Sequence, residues 1–447
     1  MERGRISRIK GLFSRLNTLR ISWILGFLRL VIRIFAKKPV PGSLPSIPEQ
    51  LFNKIKKDYL FYFSRRLNKV MVTPEMIQIM LTSKCNIKCK MCDVWKQQFR
   101  DELTAEEVKG LIDQAIEMGV KTIYFTGGEA FLRRDIFELI DYATRPGMIT
   151  TVNTNGSFIT KEMAEKIVLS KLRSIQFSID SPIAEKHNFM RGKNVFEKAV
   201  QAMEYINYYK ERLGRRAEDN LEGGLDMVIV SVIMKSNIEE LAGLVELAEK
   251  TQCCGILFQP LINNGNLLEN FNFDSDFWVE EEDVPRLEET FRKLEQMKNQ
   301  MPPGVFIEFM PEKTIQHFRR QRRANTCFAG FNRIFVNPQG DISFVCFPSF
   351  GNVRANRLEN VWHSEKAYEF RERLKNCQVN CTQFCSERPA SESIEAIHRS
   401  LLEGIKKFPK KTQIKLLIKE YIFLQSIPIL NNWSNRNNYD HKKEKAS

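Results

Sequence analysis

The stretch MIQIMLTSKCNIKCKMC, residues 76–92, decides how this chain is read. Its first seven residues suit a buried strand. The strand runs straight into Cys85, Cys89 and Cys92, spaced C-x3-C-x2-C within eight residues. Three thiolates so placed can hold three irons of a cubane, because iron–sulfur clusters take soft cysteine ligands and a compact loop carries them to neighbouring corners. The fourth iron would stay open to a small molecule that offers an amine and a carboxylate. Three quarters of a zinc site, or chance in a chain with ten cysteines, are the competing readings, although zinc usually takes C-x2-C pairs.

Outward from this loop, strands alternate with helices. Strands are expected at 76–82, 120–126, 149–154, 173–179, 225–234 and 255–262. A capping box, Thr104 with Glu107, opens a helix that stops at Gly119, and further helices are expected near 133–144, 160–170, 194–213 and 237–250. Such repeats imply an α/β fold, a parallel sheet with helices outside, in which ligands gather at the carboxyl ends of the strands. Polar motifs stand at those ends. Gly127-Gly128-Glu129 follows the second strand, where glycines admit a ligand to the backbone and a carboxylate can meet an ammonium group. Asn153 and Asn155 close the third strand, Ser178 and Asp180 the fourth, and His187 and Arg191 follow in HNFMRG. Taken singly, each of these is as readily a strand-end cap or a structural side chain.

C-x3-C-x2-C followed by one helix and then GGE resembles the radical SAM superfamily. The resemblance implies a partial (β/α)6 TIM-type barrel with a [4Fe–4S] cluster on Cys85, Cys89 and Cys92. It also implies S-adenosylmethionine (SAM) bound by Gly127, Gly128, Glu129, Asn155, Ser178 and Asp180, with Glu129 on the methionine amino group. The implied chemistry is one-electron cleavage of SAM to methionine and a 5′-deoxyadenosyl radical, which takes a hydrogen from a substrate. A reduced flavodoxin or ferredoxin-type donor would supply the electron. Two positions depart from the family pattern: Met91 stands where an aromatic residue often shields the adenine, and Ala130 where many members have proline.

A second cysteine set lies near the C-terminus. Cys327 precedes an expected hairpin, RIFVNPQGDISFVC, that ends in Cys346; a helix at about 358–376 leads to Cys377, Cys381 and Cys385. The C-x12-G-x5-C arrangement around Gly340 and the late triplet resemble the SPASM or twitch extension, which carries auxiliary clusters. Five cysteines suffice for one auxiliary [4Fe–4S] cluster, on Cys327, Cys346 and two of the last three. Zinc is the alternative there, given the late C-x3-C spacing. Cys253 and Cys254 have no partner at ligand spacing and read as buried free thiols.

The net charge of +14 over 447 residues is concentrated at the start, where residues 1–38 hold ten basic side chains against Glu2 alone. Bulky apolar residues alternate with them, which suits a helix lying on an anionic membrane surface. Arg29 and Arg33 interrupt the apolar run too early for a span, and so many aliphatics leave no role for nucleic acid. With sparse cysteines and no cleavable signal, the chain reads as cytoplasmic, lying peripherally on the inner face of the membrane. The expected divisions are a basic extension and Pro-rich linker at 1–75, the barrel at 76–280, linker helices at 281–320, the small iron–sulfur domain at 321–390, and a basic helix and polar tail at 391–447. The amphipathic ends favour a membrane lipid or lipid-linked substrate. The alternative is a peptide or protein maturase, and a second alternative is an electron-transfer protein without catalysis, which would leave the GGE motif without a purpose.

Overall fold

The computed structural model describes residues 47–97, 99–145, 147–214, 224–262, 276–302, 304–321, 327–344, 348–377, 391 and 393–425. Two units divide the chain, Met1–Phe52 and Asn53–Ser447; the sheet, the helices around it and the site all lie in the second. Helix α1 (Ile47–Leu67) leads into six strands, β1 (Met76–Met80), β2 (Thr122–Thr126), β3 (Ile149–Thr154), β4 (Ser174–Ser178), β5 (Asp226–Ile233) and β6 (Gly255–Pro260). They run parallel, side by side in chain order. The intervening helices are α2 (Ala105–Glu117), α3 (Ile136–Thr144), α4 (Lys161–Leu169), α5 (Ala184–Arg191), α6 (Val195–Arg212) and α7 (Leu241–Lys250). This is the expected α/β partial barrel.

Side-chain alternation explains the layers. In β2, Ile123 and Phe125 are fully buried while Thr122, Tyr124 and Thr126 are half-buried, and Ile77 with Ile79 and Ile175 with Phe177 repeat the pattern. The buried face packs in one cluster with Leu111, Ile112, Leu139, Ile140 and Ile167 of α2, α3 and α4. Each such aliphatic contributes roughly 1.5–3 kcal/mol by leaving water. On the other face the Tyr124 hydroxyl donates to Gln176 Oε1 at 2.6 Å, tying β2 to β4. The Thr104–Glu107 capping box forms as expected and opens α2.

The sheet does not end with the sixth strand. Within residues 281–320, α8 (Val284–Gln300), β7 (Phe306–Glu308) and α9 (Pro311–Phe318) follow one another, and β7 pairs parallel to β6. A linker-helix reading of this segment therefore missed a strand only three residues long. After α10 (Ala329–Asn332), the expected hairpin forms as β8 (Arg333–Val336) and β9 (Asp341–Ser343), with β10 (Gly351–Asn352) beyond it. Its turn is closed by Asn337 Oδ1, which accepts from the backbone of Gln339 and Asp341, and by Gly340 at φ +88°. Strand β8 pairs parallel to β1, so barrel and C-terminal hairpin share one ten-stranded sheet in the order β10-β9-β8-β1-β2-β3-β4-β5-β6-β7.

The single helix expected at 358–376 is two, α11 (Leu358–Trp362) and α12 (Glu365–Lys375). Ser364 breaks it: its Oγ accepts from Ala367 N at 3.2 Å and caps a new helix. Two more helices, α13 (Ile394–Ile405) and α14 (Lys410–Gln425), follow. Helix α1 belongs to the core as well. Phe61 is fully buried edge-on to Phe328, 6.2 Å between ring centres, and the Tyr59 hydroxyl donates to Glu420 of α14 at 2.6 Å. Residues 1–38, expected to meet a membrane, lie outside the described residues. Among the described residues no helix is long and apolar enough to cross one.

Candidate active site

The cysteine loop leaves the end of β1 and is held from three directions. At its root, Glu102 Oε1 accepts from the Thr82 hydroxyl at 2.8 Å and from Ser83 N at 2.9 Å. From β2, Gly128 N donates to Thr82 O at 2.7 Å and Glu129 N to Lys84 O at 2.9 Å. The GGE turn and the cysteine loop are thus stitched backbone to backbone. This explains the two glycines: a Cβ on Gly127 would stand 2.6 Å from Thr82 O, and one on Gly128 2.3 Å from Lys84 O. From β3, Asn155 Nδ2 donates to Asn86 Oδ1 at 3.0 Å, inside the loop. From α5, Met190 O accepts from Lys90 N at 2.9 Å.

These ties place Cys85, Cys89 and Cys92 on one cavity of about 310 Å³, together with Gly127, Gly128, Asn153, Asn155, Ser178 and Arg191. Met91 lines it too, at the position where the family often has an aromatic residue. Cys89 is buried and the other two thiols are half-buried. Burial pushes the Cys89 thiol up to about 11 and Cys85 in the same direction, against the pull of the Arg191 guanidinium. A neutral thiol at neutral pH is what a ligand would be before metal binding expels its proton. Among the described residues no three His, Cys, Asp or Glu side chains gather as they would around a single metal ion; a cubane asks instead for thiolates at separate corners. Three soft thiol donors lining one cavity are the donor set that suits an iron–sulfur cluster. For a ligand beside it, Asn153 Oδ1 is buried without a hydrogen-bond partner on the cavity wall, and the glycine pair leaves backbone within reach.

Two expected ligand-binding residues stand elsewhere. The Glu129 carboxylate is fully buried and faces its own turn, accepting from Phe131 N at 3.2 Å, Thr154 Oγ1 at 2.9 Å and Asn155 N at 2.8 Å. Burial outweighs those donors and raises it to about 7. It clamps the end of β3 to the end of β2. Asp180, 1% exposed, is absent from the cavity wall: it takes Arg191 Nε at 2.6 Å and Nη2 at 3.1 Å, and Val232 N at 3.0 Å. Its reach into the cavity is through Arg191. His187 is buried behind them, its Nδ1 accepting from Asp180 N at 3.2 Å, and burial lowers it to about 4. Gln259 and Pro260 at the end of β6, Leu261 and Ile262 just beyond it, and Val94 and Trp95 after the cysteine loop also line the cavity. No spacing rule singled these out; only the rule that strand ends converge could have suggested Gln259.

The second cysteine set is described in part. Cys327 is buried and Cys377 half-buried, while Cys346, Cys381 and Cys385 lie outside the described residues. Arg65 of α1 joins the two described segments, donating from Nε to Cys327 O at 3.1 Å and from Nη2 to Lys375 O at 3.3 Å. Cys253 is buried beside Thr251, as expected of a free thiol, and Cys254 is half-buried.

Residues 79–211 match the family model of the radical SAM superfamily, and residues 327–385 that of the SPASM iron–sulfur cluster-binding domain. The chain is similar to the Fe-coproporphyrin III synthase of Methanosarcina barkeri, 27% identical over 315 residues, covering 66% of this chain and 75% of that one. The mycofactocin maturase MftC of Mycolicibacterium smegmatis is 33% identical over 172 residues, 38% of this chain and 40% of the relative. A PqqA peptide cyclase of Xanthomonas euvesicatoria is 25% identical over 313 residues, 66% and 76%. Streptococcus suis SuiB, solved bound to precursor peptide SuiA, shares the fold with a TM-score of 0.53 at 16% identity, over 82% of this chain and 78% of its own. The chain thus carries a radical SAM domain followed by a SPASM iron–sulfur cluster-binding domain, the arrangement of an enzyme.

Proposed function

We propose that this enzyme cleaves SAM reductively and directs the resulting radical at a hydrogen atom of a peptide substrate. The observation that carries the reading is the single cavity shared by three cysteines, two glycines and the polar ends of β3 and β4. When bound, the cluster on Cys85, Cys89 and Cys92 would supply one electron to SAM, giving methionine and the 5′-deoxyadenosyl radical. The chain's own residues do the rest. Gly127 and Gly128 leave room for the methionine end, Asn153, Asn155 and Ser178 offer hydrogen bonds to the ribose and carboxylate, and Arg191 sets a positive charge beside the thiolates. Lys84, just before the first ligand, and Lys88 and Lys90, between the ligands, are exposed and suit docking of an acidic flavodoxin or ferredoxin-type donor. One auxiliary [4Fe–4S] cluster is assigned to Cys327, Cys346 and two of Cys377, Cys381 and Cys385.

The peptide substrate is supported by the maturase and the peptide cyclase among the relatives. A lipid, favoured by the basic amphipathic ends, has no such support. A tetrapyrrole is the second reading, favoured by the synthase that matches over 66% of the chain. Deuterium transfer decides between them. Reconstituted enzyme is given reduced flavodoxin, SAM and either deuterated peptides encoded beside its gene or deuterated iron coproporphyrin III. Deuterium in 5′-deoxyadenosine from a peptide supports the first reading, and deuterium from the porphyrin alone replaces it with the second. Deuterium from neither, with SAM still cleaved, would contradict both.

A further inference from the structure

Helix α14 carries apolar side chains on two faces, and one of those faces is open. On the inner face Leu416 and Glu420 are buried. Glu420 accepts from the Tyr59 hydroxyl of α1 at 2.6 Å and meets His398 Nδ1 of α13 at 3.0 Å. Phe423 packs on the Tyr59 ring, 6.2 Å between ring centres. In an α-helix a position two residues away stands about 200° round the axis. Ile414 and Ile418, two residues before Leu416 and Glu420, therefore point away from that packing, and Ile422 continues their row at the same spacing of four. Ile414 is 56% and Ile422 40% exposed, with Ile418 half-buried between them. A single exposed isoleucine is ordinary, but a row on one helix face marks a surface that something covers.

The charge around the row indicates the cover. Residues 406–425 hold Lys406, Lys407, Lys410, Lys411, Lys415 and Lys419 against Glu420 alone, and Glu420 is spent on the inner face. The first four of these lysines are exposed. Lys56 of α1, also exposed, adds a charge beside the same helix, 5.6 Å above the Phe423 ring. A second copy docked face to face would set lysines against lysines. The first 38 residues of this chain, with ten basic side chains against one acid, would do the same. An acidic lipid surface takes both features together: isoleucines enter the boundary between headgroups and acyl chains, and lysine stems lie along it with their ammonium groups among the phosphates. We propose that α14 docks the enzyme on an anionic membrane surface through Ile414, Ile418 and Ile422 and the lysines beside them. Each lysine held near such a surface strengthens binding about fivefold, so a short apolar row is enough. This docking is independent of which substrate the radical attacks.

The test uses the full reconstituted chain and vesicles of phosphatidylcholine with or without phosphatidylglycerol. Binding is read by co-sedimentation, the fold by circular dichroism, and SAM cleavage by 5′-deoxyadenosine formed under chemical reduction. The parent is expected to bind the anionic vesicles at least about tenfold more tightly than the neutral ones. Ile414→Gln/Ile418→Gln/Ile422→Gln should weaken that binding about tenfold or more. Lys407→Glu/Lys410→Glu should weaken it by a similar factor, and because an acid suits the start of a helix the fold should tolerate it. Circular dichroism and SAM cleavage should stay at the parent's level in both. Anionic binding unchanged in the isoleucine variant, or equal binding of the parent to neutral vesicles, would overturn the proposal and leave the row to a protein partner. A parent dimer dispersed by the isoleucine variant would overturn it in favour of a second copy, and vesicle binding that rises when residues 1–38 are removed would overturn it by making that segment the cover. Should the triple variant fail to fold, Ile414→Gln and the lysine variant decide: weaker binding in both supports the assignment, and any other pairing overturns it.

Discussion

The two cysteine sets are built in opposite ways. Cys85, Cys89 and Cys92 sit within eight residues, and their loop is held by backbone hydrogen bonds to Gly128 and Glu129 of the next strand end. Cys327 and Cys377 are fifty residues apart, and a side chain from a third element, Arg65 of α1, joins their segments. The first site is stitched mainly to the backbone of the neighbouring strand end, with further ties from Asn155 after β3 and Met190 of α5. The second needs α1, α10, α12 and the hairpin to be packed first, so damage to remote residues should reach it more easily.

The largest expected effect separates the two sets outright. Removing Cys85, Cys89 and Cys92 together should abolish 5′-deoxyadenosine formation, whereas Cys327→Ala should remove iron from the second set and leave SAM cleavage measurable; equal loss in both would erase the distinction. Next comes Arg191→Met, which leaves Asp180 charged, buried and unpaired. A loss of about 3–5 kcal/mol is expected in denaturant unfolding; a cost under about 1 kcal/mol would mean that the pair does not organise the β4 end.

Gly128→Ala should cost about 1–3 kcal/mol, because its Cβ meets the Lys84 carbonyl and nothing flexible can give way. Gly110, in α2 with nothing near its Cβ, is the control: Gly110→Ala should stabilise by up to about 1 kcal/mol. Similar melting shifts for both would show that the stitch between the GGE turn and the cysteine loop is unimportant.

Acid–base behaviour offers a finer probe, on metal-free protein. Glu129 is raised from 4.5 to about 7 in the folded chain, so the folded state binds more protons than the unfolded one across that window, and stability falls as pH rises from about 4.5 to 7. His187 is lowered from 6.5 to about 4, so the unfolded state binds more protons and stability falls as pH drops from about 6.5 to 4. Between about pH 4.5 and 6.5 the two contributions oppose each other, so Glu129→Gln should remove the first and leave a profile that falls as pH drops through that window. An unchanged profile in that variant would place the titration elsewhere. The smallest effect is expected from removing residues 1–38: liposome co-sedimentation should weaken while SAM cleavage persists, and unchanged sedimentation would dismiss the amphipathic anchor.

The same contrast governs what could be read from the sequence. All six barrel strands and the capping box at Thr104 were legible because each is announced by local pattern. So was the meeting of the three cysteines and the glycine pair on one cavity, since each motif follows a strand end. The roles of Glu129 and Asp180 were not legible, since a carboxylate after a strand looks alike whether it faces a ligand or, like Asp180, is consumed by an arginine eleven residues on. Strand β7 is three residues long and pairs only because β6 lies beside it. The burial of α1 against Phe328 and Phe331 joins residues more than 260 positions apart, and no local pattern carries that information.

The most direct test of the central claim is anaerobic. Iron content and 5′-deoxyadenosine formation are measured after reduction for the reconstituted enzyme and for Cys85→Ala/Cys89→Ala/Cys92→Ala. The account predicts about eight irons and product in the first, about four irons and no product in the second. Product formed by the triple variant, or none from the intact enzyme under any reductant, would contradict it.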